Sequence, residues 1–223
     1  ASSSADVPNN NLEITVAGNT TNFVVLAAAE ALGFDNALTT DRTITLTINA
    51  GVQMSGTHGF QTGALQQNTT LAVINNGTIF GGDGATGSSG GNGGAGSTAV
   101  VYSTVTGGSA THSWINNSTI NGGRGGGGSA GRTTTEINDG DGTSECILPA
   151  KTGTAGAAGG FGGAGGNGSF SGGSNANDIA DCTVFTPGTG GAGGAAIQWQ
   201  GRTVSFSGGG QVVGLSPLQI TAL

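Results

Sequence analysis

Apolar and polar residues alternate in four separate stretches of this chain, and each stretch runs into a bend rich in asparagine, glycine or serine. Alternation with a period of two is typical of a β-strand with one buried face. Asn and Gly tolerate left-handed dihedrals, and an Asn side chain stacked on its counterpart in the next layer can extend a hydrogen-bonded ladder. The copies therefore predict the rungs of a small layered β-structure. They are Ile44 to Met54, Leu71 to Ile79, Trp114 to Ile120 and a weaker copy from Val204 to Val212.

One segment near the N-terminus is alanine-rich instead of alternating. Asn22 precedes the segment Phe23 to Leu32, and Gly33 follows it. A cap-competent residue, a body of good helix formers and a closing glycine predict a helix, the only one in the chain.

Residues 1 to 21 are polar apart from one short alternating run, and they predict an arm with a single strand. That run comprises Leu12, Ile14 and Val16. The predicted domains are an N-terminal arm with the short helix, residues 1–42, and a main domain, residues 43–223.

Glycine recurs at every third position elsewhere in the chain, a period that matches polyproline-II geometry but neither a helix nor a strand. Collagen would need an unbroken repeat and abundant proline, and this chain has 4 prolines. The runs therefore predict rods that fold back and pack through their bare backbones. The predicted fold is mainly β and polyglycine-II: a bundle, or sandwich, of glycine-rich three-fold helices on a small layered β-structure. The runs begin at Gly81, Gly122, Gly153 and Gly188.

Composition and charge narrow the classes of protein. With 48 glycines in 223 residues the hydrophobic core is limited, so a disordered chain is the alternative to a folded one. The strict glycine register favours a folded chain. The net charge is −7 and the five basic residues are scattered, which argues against a nucleic-acid partner.

No apolar stretch approaches the ~20 residues of a membrane span, so membrane insertion is not expected. The chain begins without a signal peptide or an initiator methionine, so we expect a processed chain or a piece of a longer polypeptide.

The segments between the glycine runs differ from them in composition. Residues 97–113, 132–152 and 169–187 break the register, and the last two hold six of the twelve carboxylates. Loops on a rigid scaffold are where recognition usually resides.

Together these features resemble the glycine-rich adhesins of bacteriophages. The resemblance covers about residues 22 to 214 and rests on Thr43 to Gly51, Phe60 to Leu65, Ile74 to Ile79, the glycine runs and Gly190 to Ile197. Two groups share the pattern: adhesins at the tips of long tail fibres of T-even-like phages, and glycine-rich domains of siphophage tail-tip proteins. The tail-tip group is more similar, because its domains also carry a short helix before the first strand.

The resemblance implies a non-enzymatic receptor-binding adhesin, a viral protein in the phage tail or at the tip of a tail fibre, outside the host cell. Its rods would form a polyglycine-II sandwich, and the loops 97–113, 132–152 and 169–187 would bind an outer-membrane protein or lipopolysaccharide. Other phage tail proteins would be partners, with a homotrimer formed through the tail attachment.

Within those loops, acidic and aromatic side chains are the candidate receptor contacts. An acidic surface suits a receptor that presents Lys or Arg, and exposed aromatic residues anchor interfaces. The candidates are His112, Glu136, Asp139, Asp141, Glu145, Phe170, Asp178, Asp181 and Phe185.

The two cysteines, Cys146 and Cys182, lie one in each acidic loop. A disulfide between them fits an extracellular particle and would contribute about 3–4 kcal/mol in the chain-entropy model. Two unpaired thiols, in a protein assembled in a reducing cytoplasm, are the alternative.

Motifs for catalysis or cofactor binding lack their structural context, so we predict no catalytic residue, cofactor or metal. Asn138 to Glu145 has oxygen ligands but not the spacing of a calcium loop, and Gly82 to Gly87 matches a dinucleotide fingerprint without a following helix. Paired carboxylates of the acidic loops would be needed for a polysaccharide depolymerase, which usually has a larger, aromatic-rich β-helix.

The main rival function is ice binding by a polyglycine-II bundle of the springtail antifreeze kind. It would require a flat face of regularly spaced small residues and short turns, whereas the outer positions Asp83, Ala85 and Thr86 are irregular. A structural coat protein is a third possibility, for which more repeats would be expected.

Overall fold

The structure is a computed structural model, and it describes residues 11–87, 91–103, 111–129, 157, 163–168, 188–200, 202 and 204–214, together with the backbone of 132–133, 136–138, 144–146 and 184–185. The chain forms two compact units. The first, the β-unit, comprises Ala1–Gly82, Thr98–Gly122 and Ala195–Leu223, and the second, the glycine unit, comprises Asp83–Ser97 and Gly123–Gly194.

The described residues are mainly β, with one short helix, as predicted. The elements in chain order are β1 (Asn11–Val16), β2 (Thr20–Val24), α1 (Val25–Glu30), β3 (Arg42–Ile48), β4 (Gln53–Gln61), β5 (Thr69–Asn75), β6 (Thr78–Phe80), β7 (Val100–Val101), β8 (His112–Asn116), β9 (Thr119–Asn121), β10 (Arg132–Thr133), β11 (Glu136–Asn138), β12 (Ser144–Cys146), β13 (Val184–Phe185), β14 (Ile197–Gln198), β15 (Val204–Ser207) and β16 (Gln211–Val213).

The described strands of the β-unit form five layers. One sheet has the order β1-β3-β5-β8-β15, and the other has the order β14-β7-β4-β6-β9-β16 with β2 beside β4; the strand pairs within both sheets are parallel. Layers 1 to 5 begin with β1, β3, β5, β8 and β15, and each layer continues after a bend into a strand of the second sheet. The four alternating stretches of the sequence are therefore rungs, as predicted.

Alternation along the strands builds the core of this unit. Met54, Ile79, Ile120 and Val212 follow one another in register across successive layers of the second sheet. The apolar side chains of both sheets form one buried cluster with Trp114 and Trp199, and Phe206 packs against it. These three aromatic residues thus have the packing role that their position in the rungs indicates.

The bends carry the predicted asparagine ladder. Asn75 Nδ2 donates to Asn116 Oδ1 in the next layer over 2.7 Å, and both side chains are fully buried. The following pair, Asn76 and Asn117, is joined in the same way over 2.9 Å at an exposed position. In layer 5 the chain turns at Gly208 with φ of +106°, where a Cβ would overlap the Asn116 carbonyl oxygen.

The strand predicted from Leu12, Ile14 and Val16 is confirmed as β1, but the N-terminal residues differ from their prediction in two other respects. Residues 11–24 supply both strands of layer 1, so the described part of the arm belongs to the sheets. The helix begins at Val25 without a side-chain cap, because Phe23 and Val24 pair with β4, and Asn22 lies at the register shift with φ of +50°. Asn22 as the cap was wrong, since strand pairing outcompetes local capping there. The division of the chain into domains at residue 42 stays a prediction.

The segment 97–113, predicted as an interlude with a strand from Thr98 to Val105, is partly built into the sheets. Within it lie β7 and the first two residues of β8, while Ala99, Val100 and Tyr102 are buried in the core of the β-unit. Residues 104–110 lie outside the described residues. Apolar contacts from distant segments, which a single sequence does not display, draw this segment inward.

The glycine unit contains five glycine-rich runs among its described residues, named runs 1 to 5: 83–87, 91–97, 123–129, 163–168 and 188–194. Hydrogen bonds between runs repeat every three residues. Run 3 donates to run 2 from the amides of Gly123, Gly126 and Ser129, and it accepts bonds from run 5 in the same step. The period of three in the sequence is thus the period of the lateral backbone bonds.

Run 3 is bonded to the other four runs, and all its residues except the half-buried Arg124 are buried. A Cβ added to Gly125 would overlap Gly191 O, and one added to Gly126 would overlap Ala85 O. Glycine is required here because neighbouring backbones approach closer than any side chain permits. Among the described residues no helix is long and apolar enough to cross a membrane.

Candidate functional site

Runs 1, 3 and 4 end, and runs 2 and 5 begin, at one end of the glycine unit. At that end Ser129 N donates to Gly91 O over 3.1 Å, Gly188 N donates to Ser129 O over 3.1 Å, and Gly168 N donates to Gly188 O over 2.9 Å. Gly87 lies in the same part, because its amide donates to Gly127 O. The segments 130–156 and 169–187 therefore both begin at this end, which we call the loop end, and the second of them also returns there.

The two acidic segments are also paired with each other beside the loop end. Runs 3 and 5 are antiparallel, with Gly188 bonded to Ser129. Three residues further along each segment, Arg132 of β10 pairs with Phe185 of β13, also antiparallel. The β10–β13 pair therefore continues the register of runs 3 and 5. These two runs thus set the relative position of the two segments where the segments start.

A second ribbon lies within the segment 130–156. Strands β11 and β12 pair antiparallel, with Glu136 opposite Cys146 and Ile137 opposite Glu145. This pairing brings the backbones of two predicted acidic contacts, Glu136 and Glu145, to neighbouring positions of one hairpin. Phe185 belongs to β13, at the base of the other segment.

The remaining loop residues of the prediction lie outside the described residues. They are Asp139, Asp141, Phe170, Asp178 and Asp181, together with Cys182 of the cysteine pair. The disulfide and the calcium-like segment around Asp139 therefore stay predictions. Among the described residues no three His, Cys, Asp or Glu side chains come together as metal ligands would.

His112 is in a different place from the other candidates. It is the first residue of β8 and is 1% exposed in the core of the β-unit. Its Nδ1 lies 3.2 Å from the backbone nitrogen of Leu71, and its ring packs edge-on against Tyr102 with centroids 5.4 Å apart. A side chain buried to this degree cannot contact a receptor, so we do not retain it among the recognition residues.

Polar side chains that brace the runs were missed in the sequence. Asp83 Oδ1 accepts the Arg124 amide over 2.8 Å, Asn92 Oδ1 accepts the Thr189 amide over 2.9 Å, and Asn167 Oδ1 accepts the Gly190 amide over 2.9 Å. A short side chain with an acceptor oxygen inside a glycine run is the sequence signal that could have identified these residues. They tie neighbouring runs together.

A groove of about 380 Å³ in the β-unit is lined by uncharged polar side chains: Asn19, Thr20, Thr21, Gln53 and Ser55. Asn19 Oδ1 already accepts the Gln53 amide over 2.9 Å. The groove is open, and its lining carries hydroxyl and amide groups but no charged side chain.

The comparisons with known proteins agree with this architecture. Residues 11–216, which span all of the described residues, match the model of the family "Phage tail fibre adhesin Gp38". The chain belongs to this family of phage tail fibre adhesins. As a tail fibre adhesin it is a virion protein of the tail fibre that recognises the host cell. No curated protein and no solved structure matches the chain.

The matching family consists of tail fibre adhesins, the first of the two groups of phage proteins that the sequence resembles. The general identification from the alternating rungs and the glycine register is confirmed. An adhesin of the tail fibre binds a host receptor and other tail components.

Proposed function

We propose that the adhesin contacts its bacterial receptor with the segments 130–156 and 169–187 at the loop end of the glycine unit. The observation that carries the proposal is the common origin of the two segments, which continue the register of runs 3 and 5 into the β10–β13 pair. A rigid scaffold of hydrogen-bonded backbones that fixes where two segments start can support a recognition surface.

The charge of these segments favours a protein receptor over lipopolysaccharide. They carry the carboxylates of Glu136, Asp139, Asp141, Glu145, Asp178 and Asp181, while the chain as a whole has a net charge of −7. Phosphate groups of lipopolysaccharide would be repelled, whereas Lys or Arg on an outer-membrane protein would be attracted, chiefly through the association rate. Phe170 and Phe185 are the proposed aromatic anchors.

We further infer that the runs are polyglycine-II helices. Three observations support this geometry: lateral bonds every three residues, bonds from one run to four neighbours, and no positive φ at any described run glycine. The adhesin would act by binding without catalysis, and a homotrimer formed through the tail attachment is proposed as its state on the fibre.

Exchange of the two segments between related phages tests the receptor assignment. We expect host range to follow residues 130–156 and 169–187 when both are transplanted onto the β-unit and runs of a relative. Adsorption to cells lacking single outer-membrane proteins, or lacking the outer sugars of lipopolysaccharide, then distinguishes the two receptor classes.

Charge reversal offers a finer test with a matched control. Glu136→Lys with Glu145→Lys should lower the adsorption rate constant about tenfold or more at low salt, because attraction to a basic receptor becomes repulsion. Glu13→Lys changes an exposed carboxylate of β1 in the β-unit and should leave adsorption unchanged. Equal rates for both variants would remove the proposed role of the acidic hairpin.

Ice binding gains no support from the family, which consists of adhesins. Exposed side chains of the runs, such as Asn92 and Asn167, accept backbone amides of adjacent runs and do not form a repeated array of one residue type.

A further inference from the structure

A histidine occupies one position of an otherwise aliphatic column in the β-unit core. Leu12, Ile44 and Leu71 follow one another in register in layers 1 to 3. Val204 in layer 5 pairs in register with His112 in layer 4, which is 1% exposed. An imidazole brings two polar ring nitrogens into this column, so its burial depends on what faces each nitrogen.

Both ring nitrogens face hydrogen-bond donors. Nδ1 lies 3.2 Å from the backbone nitrogen of Leu71, and Nε2 lies 3.4 Å from Nη1 of Arg202. A neutral imidazole has one nitrogen that accepts a hydrogen bond, whereas an imidazolium has none. Protonation would therefore remove the acceptor and set a second positive charge beside the guanidinium.

The groups that face His112 from neighbouring elements do not offset such a charge. They are the Arg202 guanidinium, between β14 and β15, and the Tyr102 phenol, after β7; no described carboxylate forms an ion pair with either side chain. Burial, together with the charge of Arg202, lowers the pKa of His112 to about 4. Burial also lowers the pKa of Arg202 and raises that of Tyr102.

Arg202 links this position to a further segment of the core. Its Nη2 donates to Leu65 O over 3.5 Å, from the connection between β4 and β5. The contacts of His112 and Arg202 therefore bring together β5, β8, the β4–β5 connection and the β14–β15 connection.

We propose that His112, beside the Arg202 guanidinium, is an acid-sensitive latch in the β-unit: it is closed while the neutral imidazole accepts the Leu71 amide and opened by protonation of the imidazole. Opening would release β8 from the Leu71 amide and loosen the aromatic cluster around Tyr102. Loss of host adsorption in acid would follow, a consequence that rests on the proposed function; the latch itself is tested by stability alone.

The pH dependence has a defined sign. Between the ordinary pKa of 6.5 and the folded value of about 4, the unfolded chain binds more protons than the folded chain. Stability is therefore full above pH 6.5 and falls as the pH falls toward 4, where the ratio of folded to unfolded protein should be reduced on the order of 100-fold.

Denaturant unfolding of the full chain between pH 7.5 and 4, followed by intrinsic fluorescence, measures this loss. Both tryptophans report on the latch, because Trp114 Nε1 donates to the Tyr102 hydroxyl and the Trp199 ring lies 5.2 Å from the Tyr102 ring. His112→Asn keeps an acceptor for the Leu71 amide but cannot titrate, so its unfolding midpoint should fall much less with pH. His58→Gln changes the other histidine, whose Nδ1 lies 2.8 Å from Thr98 O, and should behave as the unaltered chain.

Arg202→Met provides a second variant in case His112→Asn does not fold. Removing the guanidinium lets the folded protein accept the proton more easily, so the loss of stability in acid should shrink. The proposal is overturned if the unaltered chain keeps its midpoint from pH 6.5 to 4, or if the His112 and Arg202 variants lose stability as steeply as His58→Gln.

Discussion

The β-unit and the glycine unit reach order by opposite uses of side chains. In the β-unit, large side chains such as Trp114, Phe60 and Leu46 fill the space between parallel sheets and are almost wholly buried. In the glycine unit, run 3 is buried chiefly among the backbones of the other runs, and its amides bond to run 2 every three residues. Truncating core side chains should destabilise the β-unit, whereas adding a methyl group to a run glycine should destabilise the glycine unit.

This difference separates two sources of cohesion that are usually mixed. Burial of apolar area contributes about 25 cal/mol per Å² and depends on volume, while a backbone hydrogen bond contributes about 0.5–1.5 kcal/mol net and depends on close approach. A chain with 48 glycines can order one unit through backbone hydrogen bonds, because the runs lack the side chains that would hold the backbones apart.

The largest effect is expected from one methyl group in the middle of run 3. Gly126→Ala would place a Cβ on the carbonyl of Ala85, which is backbone and cannot turn away. We expect the loss of ordered runs, at a cost above about 4 kcal/mol, seen as loss of amide hydrogen-exchange protection in runs 2, 3 and 5. Gly209→Ala is the matched control, because no atom lies within 4 Å of a Cβ there. Equal protection in both variants would falsify the close-approach argument.

A large deletion in the β-unit should follow. Trp114→Ala removes a side chain that packs edge-on against Phe60, with centroids 5.2 Å apart, and donates to Tyr102. The expected loss is about 3–5 kcal/mol of unfolding free energy, measured by circular dichroism in denaturant. Ile115→Ala, at the next position of β8 and 43% exposed, should cost much less. Similar losses at the two positions would mean that the inward face of the sheet is not the core.

The smallest of the three effects concerns the asparagine ladder. Asn116→Ala leaves the buried Asn75 amide without its acceptor and should cost about 1–3 kcal/mol in the same measurement. Asn117→Ala breaks the corresponding exposed bond to Asn76, where water replaces the partner, and should cost less than about 0.5 kcal/mol. The first pair is buried and Asn116 Nδ2 also donates to Ser118 O over 3.2 Å, so a reversed order would contradict the desolvation argument.

The rungs and the glycine register could be predicted because both are periodic. Ile44, Leu46 and Ile48 show the period of two, and the Asn-containing bends recur in three of the copies, so the layering follows from the sequence. The strand β1 was expected from Leu12, Ile14 and Val16, but its place in an additional layer was not, because its pairing with β3 joins segments far apart in the chain. For the same reason Asn22 was taken as a helix cap, although Phe23 pairs with Phe60 in strand β4.

Polar residues within the core were the main source of error for the site. His112 follows a polar stretch and was taken as a loop residue, yet it occupies an inward position of β8. The sequence shows that a residue is polar, but it does not show which groups, such as Leu71 N and Arg202, face its side chain in the folded protein. The acidic segments were found because they interrupt a strict repeat, a signal that needs no knowledge of distant contacts.

The position of the glycine runs in the chain bears on how this adhesin can diversify. Runs 1 and 2 lie between β6 and β7, and runs 3 to 5 lie between β9 and β14, so the loops are insertions within the layers of the β-unit. The entropy of closing a loop grows with the logarithm of its length, and each doubling adds only about 0.6 kcal/mol. Segments that leave the loop end can therefore lengthen, shorten or be exchanged by recombination at little energetic cost, while the lattice beneath them keeps its register.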